Sequence, residues 1–277
     1  MSLIAQTFKN LEQKGQRALV GFVTAGDPDA KKSLAVMEAM LDGGCDILEV
    51  GIPFSDPTAD GPVIQASSQR ALTAGMNLTK ALGMVKALRQ RHSAPIVLFS
   101  YYNPILAYGG ERLYKDALAA GADGLLVVDL PFEEAGELTG KWPGKDLDLI
   151  LLVAPTTPRE RMEQIALNAS GFIYLVSMTG VTGSAGLDLE QVTHTADTLK
   201  SVTDIPVAVG FGISTPEHVA AVSKVAQGIV VGSAFERIIE KNINAPDLPG
   251  IILQYAKTLK AAAIKLKHPV IGYDYRF

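Results

Sequence analysis

The sequence predicts a single (β/α)8 TIM barrel with an extra helix at its N-terminus. Three observations lead to this fold class. The length of 277 residues suits one barrel of this kind, which needs about 250 residues. Short runs rich in leucine or β-branched residues alternate with longer segments of helical spacing. These runs are continuously apolar, as expected of parallel strands that are covered on both faces.

Eight strand candidates follow one another along the chain, each bounded by glycine, proline or acidic residues. Their ranges are Ala18–Val23, Asp46–Val50, Pro95–Ser100, Gly124–Val128, Leu147–Val153, Phe172–Ser177, Pro206–Val209 and Ile229–Val231. The helical segments predicted between and after them are Pro28–Asp42, Leu78–Arg91, Glu111–Ala120, Arg159–Asn168, Leu189–Ser201, Pro216–Val225 and Leu248–Lys267. Eight such units favour a closed barrel over an open sheet.

The segment Met1–Gly15 precedes the first strand and spaces its apolar residues for one face of an amphipathic helix. It lacks the apolar core of a signal peptide. No composition shift, linker or low-complexity tract divides the chain. We therefore expect residues 1–277 to form one barrel domain.

Composition and charge narrow the functional class. Hydrophobic residues make up 48% of the chain and charged residues 19%, which is typical of a globular core and not of disorder. A net charge of -4 provides no broad basic field for nucleic acid. No apolar run reaches the roughly 18 residues of a membrane span. Cys45 is the only cysteine, so we expect a reducing, cytoplasmic location and no zinc site.

Glu49 lies inside an apolar run that is predicted to be a buried strand. An ionised carboxylate without a partner is costly in such a setting, so it is normally paired, protonated or kept for function. If Glu49 points into the mouth of the barrel, burial raises its pKa and suits it to acid/base catalysis near neutral pH. The alternative is a structural ion pair.

The segment Pro53–Gln65 follows this strand and is predicted to be one rigid loop, because three prolines restrict its backbone. It offers Asp56 and Asp60 near the strand end, where barrel enzymes place their active sites. For Asp56 a turn or helix-capping role is an equal alternative. For Asp60 we expect a functional role.

Glycine-rich segments follow the last three strands, at Gly180–Gly183, Gly210–Ser214 and Gly232–Ser233. Phosphate sites in barrels are commonly built from such loops and a short helix N-terminus, whose N–H groups face the anion. Glycine lets the backbone approach closely, although glycine is also an ordinary turn residue. The pattern predicts a phosphate held chiefly by backbone N–H groups, without an arginine.

Five apolar or aromatic residues lie at or near the predicted strand ends and could surround a flat ring. They are Phe22, Ile64, Phe99, Tyr174 and Phe211. Packing in the barrel core is the alternative for each of them, because aromatic residues on barrel strands usually belong to the core. Residue type alone therefore favours an aromatic ligand only slightly.

Together these motifs resemble the tryptophan synthase α subunit family. The resemblance runs from FVTAGDP at Phe22–Pro28, through LEVGIPFSDPTADGPVIQ at Leu48–Gln65, to GSA at Gly232–Ala234. GVTG at residues 180–183 and GFGIS at residues 210–214 also match. The long motif is highly specific, whereas the glycine motifs are shared with other phosphate-binding barrels.

The resemblance implies a lyase that cleaves indole-3-glycerol phosphate to indole and glyceraldehyde 3-phosphate by a retro-aldol reaction. It implies Glu49 as the acid/base and Asp60 as the partner of the indole N–H, with Thr182 closing over Asp60. It also implies that Phe22, Tyr174 and Phe211 surround the indole. The phosphate ligands would be Gly183, Gly212, Gly232 and Ser233.

The family implies no metal and no cofactor in this chain, and a pyridoxal-phosphate β subunit as partner in an α2β2 heterotetramer. Pro53, Asp56 and Pro57 match family positions near that interface. Two residues depart from the common pattern, because many members carry leucine at the position of Thr58 and some carry arginine at that of Met178. These departures affect the expected activation by the partner subunit more than the expected catalytic chemistry.

Three other functions remain open at this point. A stand-alone indole-3-glycerol-phosphate lyase would share the catalytic residues and release indole freely. A catalytically silent phosphate-binding barrel would only activate a partner, and the presence of both Glu49 and Asp60 disfavours it. Another sugar-phosphate isomerase barrel is disfavoured by the proline-rich segment and Asp60.

Overall fold

The computed structural model describes residues 1–140, 142–176, 189–210 and 212–264. Within these ranges eight parallel strands form a closed barrel in sequence order. They are β1 (Ala18–Thr24), β2 (Ile47–Gly51), β3 (Ile96–Ser100), β4 (Gly124–Val127), β5 (Asp148–Val153), β6 (Ile173–Val176), β7 (Val207–Gly210) and β8 (Gly228–Val231). The predicted barrel is confirmed, and the ends of the strands agree with the predicted ends to within one residue.

Twelve helices occur in the described residues. They are α1 (Leu3–Gln13), α2 (Ala30–Asp42), α3 (Pro62–Thr73), α4 (Leu78–Arg89), α5 (Tyr102–Tyr108), α6 (Gly110–Ala120), α7 (Ala135–Thr139), α8 (Arg159–Asn168), α9 (Leu189–Lys200), α10 (Pro216–Val222), α11 (Ser233–Lys241) and α12 (Leu248–Ala262). Helices α3, α5, α7 and α11 are not among the predicted segments. No helix of the described ranges is long and apolar enough to cross a membrane.

The segment Pro53–Gln65 is not one loop, as the sequence predicts, because α3 begins at Pro62. Proline suits the first position of a helix, where its missing N–H has no helical partner to lose and its φ is already near the helical value. The third proline of the segment therefore starts a helix. As a result Val63 and Ile64 approach the barrel mouth from a helical turn.

Two apolar cores lie on opposite sides of the sheet. The outer core packs the strands against the surrounding helices. The inner core fills the barrel with residues such as Val20, Val97 and Ile150. The strands of this closed parallel barrel are therefore covered on both faces, by helices outside and by side chains inside.

Helix α1 closes the amino-terminal end of the barrel, which confirms the extra N-terminal helix and shows its role. Its buried residues Ile4 and Phe8 belong to the inner core. Glycine at the starts of β4 and β8 makes room for them, because a Cβ on Gly124 would lie 3.0 Å from Ile4 Cδ1 and a Cβ on Gly228 would lie 3.0 Å from Phe8 Cε1. With this end closed, the opposite end of the barrel is left for a ligand.

Candidate active site

A cavity of about 260 Å³ lies at the carboxyl ends of the strands. Its walls come from strands of the barrel and from the first turns of α3 and α11. Among its lining residues are nine that the sequence predicts: Phe22, Glu49, Asp60, Ile64, Phe99, Tyr174, Gly212, Gly232 and Ser233. The predicted site residues Thr182, Gly183 and Phe211 lie outside the described residues.

Glu49 lies in the middle of β2, in register with Phe22 of β1 and Val97 of β3. Its side chain has no solvent exposure, and neither carboxyl oxygen has a hydrogen-bond partner in the described part of the chain. Burial raises the pKa of Glu49 to about 8. Glu49 therefore carries a proton at neutral pH, and the structural ion pair that the sequence leaves open is not found among the described residues.

Asp60 lies in the loop between β2 and α3 and lines the same cavity. Its Oδ2 accepts a hydrogen bond of 3.0 Å from the hydroxyl group of Tyr101. Burial raises the pKa of Asp60 to about 6, although the Tyr101 hydrogen bond acts in the opposite direction. Asp60 does not cap α3, whose N-cap residue is Gly61 and has no side-chain hydrogen bond. Its carboxylate is therefore available to a ligand.

Tyr101 is a site residue that sequence reasoning missed. It follows the last residue of β3, and its hydroxyl group also accepts a hydrogen bond of 3.0 Å from the backbone N–H of Ala59. One hydroxyl group thus holds both the backbone and the carboxylate of the Asp60 loop. A tyrosine directly after a predicted strand was the available signal, but its partner is 41 residues away in sequence.

Glu49 and Asp60 differ in charge state at neutral pH. The pKa of Glu49, about 8, keeps it protonated, whereas the pKa of Asp60, about 6, leaves it mostly ionised. Two carboxyl groups held in opposite protonation states can serve as a proton donor and as an anionic stabiliser in one site.

Aromatic rings form the apolar wall of the cavity. Phe22 and Phe99 pack edge to face, with ring centroids 5.2 Å apart and an interplanar angle of 74°. Glycine in the strands leaves space for the rings, since a Cβ on Gly51 would lie 2.6 Å from Phe22 Cζ. A Cβ on Gly210 would clash with the hydroxyl group of Tyr174. These strand glycines shape an apolar wall that suits a flat ring.

The opposite part of the cavity is bordered by the N-terminus of α11. This helix begins at Ser233, and its N-cap residue Gly232 offers no side-chain cap to the first N–H groups. Gly212 has a φ of +71°, a left-handed conformation that favours glycine. Open N–H groups and the positive end of the helix dipole suit a bound anion.

Arg237 also lines the cavity and was missed from the sequence. It lies on α11, four residues after Ser233, so the two residues share one face of the helix. Because the sequence does not predict helix α11, it gives no reason to place an arginine beside the glycine motifs.

The three residues predicted for the partner interface lie on the loop before α3. In the isolated chain Pro53 is buried, Pro57 is half-buried and Asp56 is exposed. The Asp56 carboxylate accepts a hydrogen bond of 2.5 Å from the hydroxyl group of Ser55. Asp56 and Pro57 are thus the accessible members of this group.

No group of three or more His, Cys, Asp and Glu side chains that could hold a metal ion occurs in the described ranges.

Comparison with known proteins identifies the family. The model of the family described as "Tryptophan synthase alpha chain" matches residues 8–263. The chain belongs to the tryptophan synthase alpha chain family. An alpha chain from Desulfatibacillum aliphaticivorans is 63% identical over 262 residues, which cover 95% of this chain and 99% of that relative. An alpha chain from Desulfosudis oleivorans is 57% identical, with the same coverage of both chains.

Solved structures of the alpha chain family have the same fold. The crystal structure of tryptophan synthase subunit alpha from Legionella pneumophila str. Paris has a TM-score of 0.88 at 36% identity, covering 95% of this chain and 98% of that one. A chain in the structure of Mycobacterium tuberculosis tryptophan synthase has a TM-score of 0.87 at 33% identity, covering 96% of this chain and 99% of that one. The likeness therefore spans nearly the whole barrel.

Proposed function

We propose that this chain is an indole-3-glycerol-phosphate lyase, acting as the α subunit of tryptophan synthase in tryptophan biosynthesis. The observation that carries the proposal is Glu49, a fully buried carboxyl group without a protein partner in the described residues, in the cavity that also contains Asp60. Burying a carboxyl group without a partner costs free energy, so proteins keep such a group where it acts on a bound ligand. Membership of the alpha chain family identifies the ligand.

The two parts of the cavity suit the two ends of this substrate. The indole ring lies against the apolar wall of Phe22, Phe99, Tyr174 and Ile64, where Asp60 accepts a hydrogen bond from the indole N–H. The phosphate group lies at the N-terminus of α11. We assign the phosphate contacts to the N–H groups of Gly183, Gly212, Gly232 and Ser233, and we include Thr182 and Phe211 in the closed site.

A single carboxyl group can carry both proton transfers of the reaction. Protonated Glu49 donates its proton to indole C3, which forms an indolenine whose positive charge Asp60 stabilises. The Glu49 carboxylate then takes the proton of the glycerol hydroxyl group next to the ring. The O–H electrons form the aldehyde C=O, the carbon–carbon bond breaks, and its electron pair restores the neutral indole.

This cycle returns Glu49 to its protonated form and leaves indole and glyceraldehyde 3-phosphate. Since all protons and electrons are accounted for by substrate and Glu49, we propose that the chain works without a cofactor of its own. We also propose that residues 1–277 form one domain that works in the cytoplasm.

We propose a pyridoxal-phosphate β subunit as the partner in an α2β2 assembly, with Asp56 and Pro57 on the exposed part of the interface. A partner accelerates the lyase only if it binds the closed, active form more tightly than the open form. A tenfold shift of that equilibrium requires about 1.4 kcal/mol of differential binding.

The test is to measure indole release from indole-3-glycerol phosphate by the purified chain, alone and titrated with the cognate β subunit. We expect slow release by the chain alone and a rise as the β subunit is added. Full activity with a flat titration would identify a stand-alone lyase. No indole under either condition would identify a silent barrel and overturn the proposal.

A further inference from the structure

Arg237 differs from the other arginines of the described residues in its hydrogen bonding. Each of the seven others within the described residues donates at least one hydrogen bond to a side chain or to a backbone carbonyl group. Arg237 lines the cavity, and in the described ranges no hydrogen bond or ion pair of its guanidinium is found. Its side chain is exposed, so the guanidinium is accessible to a ligand.

The acidic residues next to Arg237 on the same helix do not pair with it. Glu240 forms an ion pair with Arg70, with Oε1 3.2 Å from Nη1. Glu236 is fully buried, and burial together with the nearby Asp27 carboxylate raises its pKa well above the usual value, which disfavours its charged form. The positive charge of Arg237 is therefore not balanced by its own helix.

Arg237 lies one helical turn from the N-terminus of α11, where an anion would be favoured. It is the fifth of the nine residues of α11, one turn after Ser233, which lies at the positive end of the helix dipole. The first N–H groups of α11, which have no side-chain cap, already favour an anion at this place. An anion between these N–H groups and the guanidinium would satisfy both.

We propose that Arg237 binds the phosphate group of the substrate, so that this phosphate monoester is held by a guanidinium as well as by backbone N–H groups. The sequence predicts a phosphate site without an arginine, and a contact from Arg237 would contradict that expectation. It rests on the proposed function only for the identity of the phosphate ester. A planar guanidinium can donate two parallel hydrogen bonds to two phosphate oxygens, which an ammonium group cannot match.

The test compares Arg237→Gln with Arg237→Lys and with Lys241→Gln. The last variant removes an equal charge from the last turn of the same helix, outside the cavity. Binding of inorganic phosphate is measured by calorimetry, and KM and kcat are measured for indole-3-glycerol phosphate. A charge-assisted hydrogen bond contributes enough to binding that we expect phosphate affinity to fall about tenfold in Arg237→Gln.

We expect Arg237→Lys to recover part of the affinity and Lys241→Gln to match wild type. In Arg237→Gln, KM should rise with little change in kcat, because the contact is the same in the ground state and the transition state. Wild-type phosphate affinity in Arg237→Gln would overturn the inference, and so would an equal loss in Lys241→Gln. A chain that binds phosphate through Arg237 but releases no indole would refute the proposed function alone.

Discussion

Glu49 and Glu236 are both completely buried glutamates with a pKa above the usual value, yet their surroundings are opposite. Glu49 faces the cavity, and neither of its oxygens has a partner within the described residues. Glu236 lies behind the cavity on α11, and its Oε1 accepts a hydrogen bond of 2.6 Å from the backbone N–H of Thr24. Burial alone therefore does not distinguish a site residue from a structural one.

The partners of Glu236 explain its structural role. It is within hydrogen-bonding reach of the Asp27 carboxylate, which accepts two hydrogen bonds of 2.7 and 2.8 Å from Arg70 on α3. Glu236 Oε2 has no donor within the described residues, and the raised pKa of Glu236 favours the protonated form, which can donate to the Asp27 carboxylate. Glu236 thus links α11 to β1 through Thr24, and in its protonated form to α3 through Asp27 and Arg70.

The largest effect that separates the two glutamates is on turnover. Glu49→Gln keeps the shape of the side chain but cannot exchange a proton, so we expect kcat to fall by about 10³-fold or more. Substrate binding should persist. Glu236→Gln makes the same substitution at the other buried glutamate and should retain most activity. If both variants turn over equally, Glu49 has no part in the chemistry.

Asp60→Asn tests the second carboxyl group of the cavity. A neutral amide does not stabilise the positive charge that develops on the indolenine nitrogen, so we expect kcat to fall by about 10²-fold. Single-turnover kinetics separate this step from binding. A variant that loses only substrate affinity, with an unchanged chemical step, would contradict the proposed role of Asp60.

For stability the order of the two glutamates is reversed, because here Glu236 and not Glu49 is expected to matter more. Glu236→Ala leaves the Thr24 N–H without its acceptor and separates the Asp27–Arg70 pair from α11, so we expect a loss of about 2–4 kcal/mol in the free energy of unfolding. Glu236→Gln can still accept from Thr24 and donate to Asp27, and should cost less than about 1 kcal/mol. Chemical denaturation at pH 7 measures both; equal stability of the two variants would argue against the shared proton.

The last expected effect is a gradual pH dependence of stability that Glu49 causes. Folded Glu49 keeps its proton up to a pKa of about 8, whereas the unfolded chain releases it near the ordinary value of 4.5. Between these values the folded state binds the extra proton, so stability falls as pH rises, by up to about 1.4 kcal/mol per pH unit.

Glu49→Gln removes this dependence. We expect it to match wild type near pH 4.5 and to be more stable by about 2 kcal/mol at pH 6 and about 3 kcal/mol at pH 7. Denaturant unfolding of both proteins over this pH range gives the difference, in which the contributions of all other groups cancel. Parallel stability curves would mean that the Glu49 pKa is not raised.

The strands could be predicted from the sequence because each is a continuous apolar run with a clear end. Helices α5 and α7 could not, since seven and five residues complete fewer than two turns and show little periodicity. Helix α3 was not predicted, because it begins at Pro62, the last proline of a proline-rich segment. Glu49 was found because a carboxylate interrupts an apolar run, whereas Glu236 and Arg237 lie in a charged segment that resembles an ordinary exposed helix.

The sequence by itself determined the barrel, the buried position of Glu49 and the glycines that border the cavity, because these follow from local patterns of residue type. Only the tertiary structure decided which carboxyl groups have partners. Tyr101 reaches Asp60, and Asp27 reaches Glu236, across distant parts of the chain. A pKa depends on the burial and the neighbours that the fold supplies. The protonation states on which the proposed chemistry depends therefore exist only once the barrel has closed.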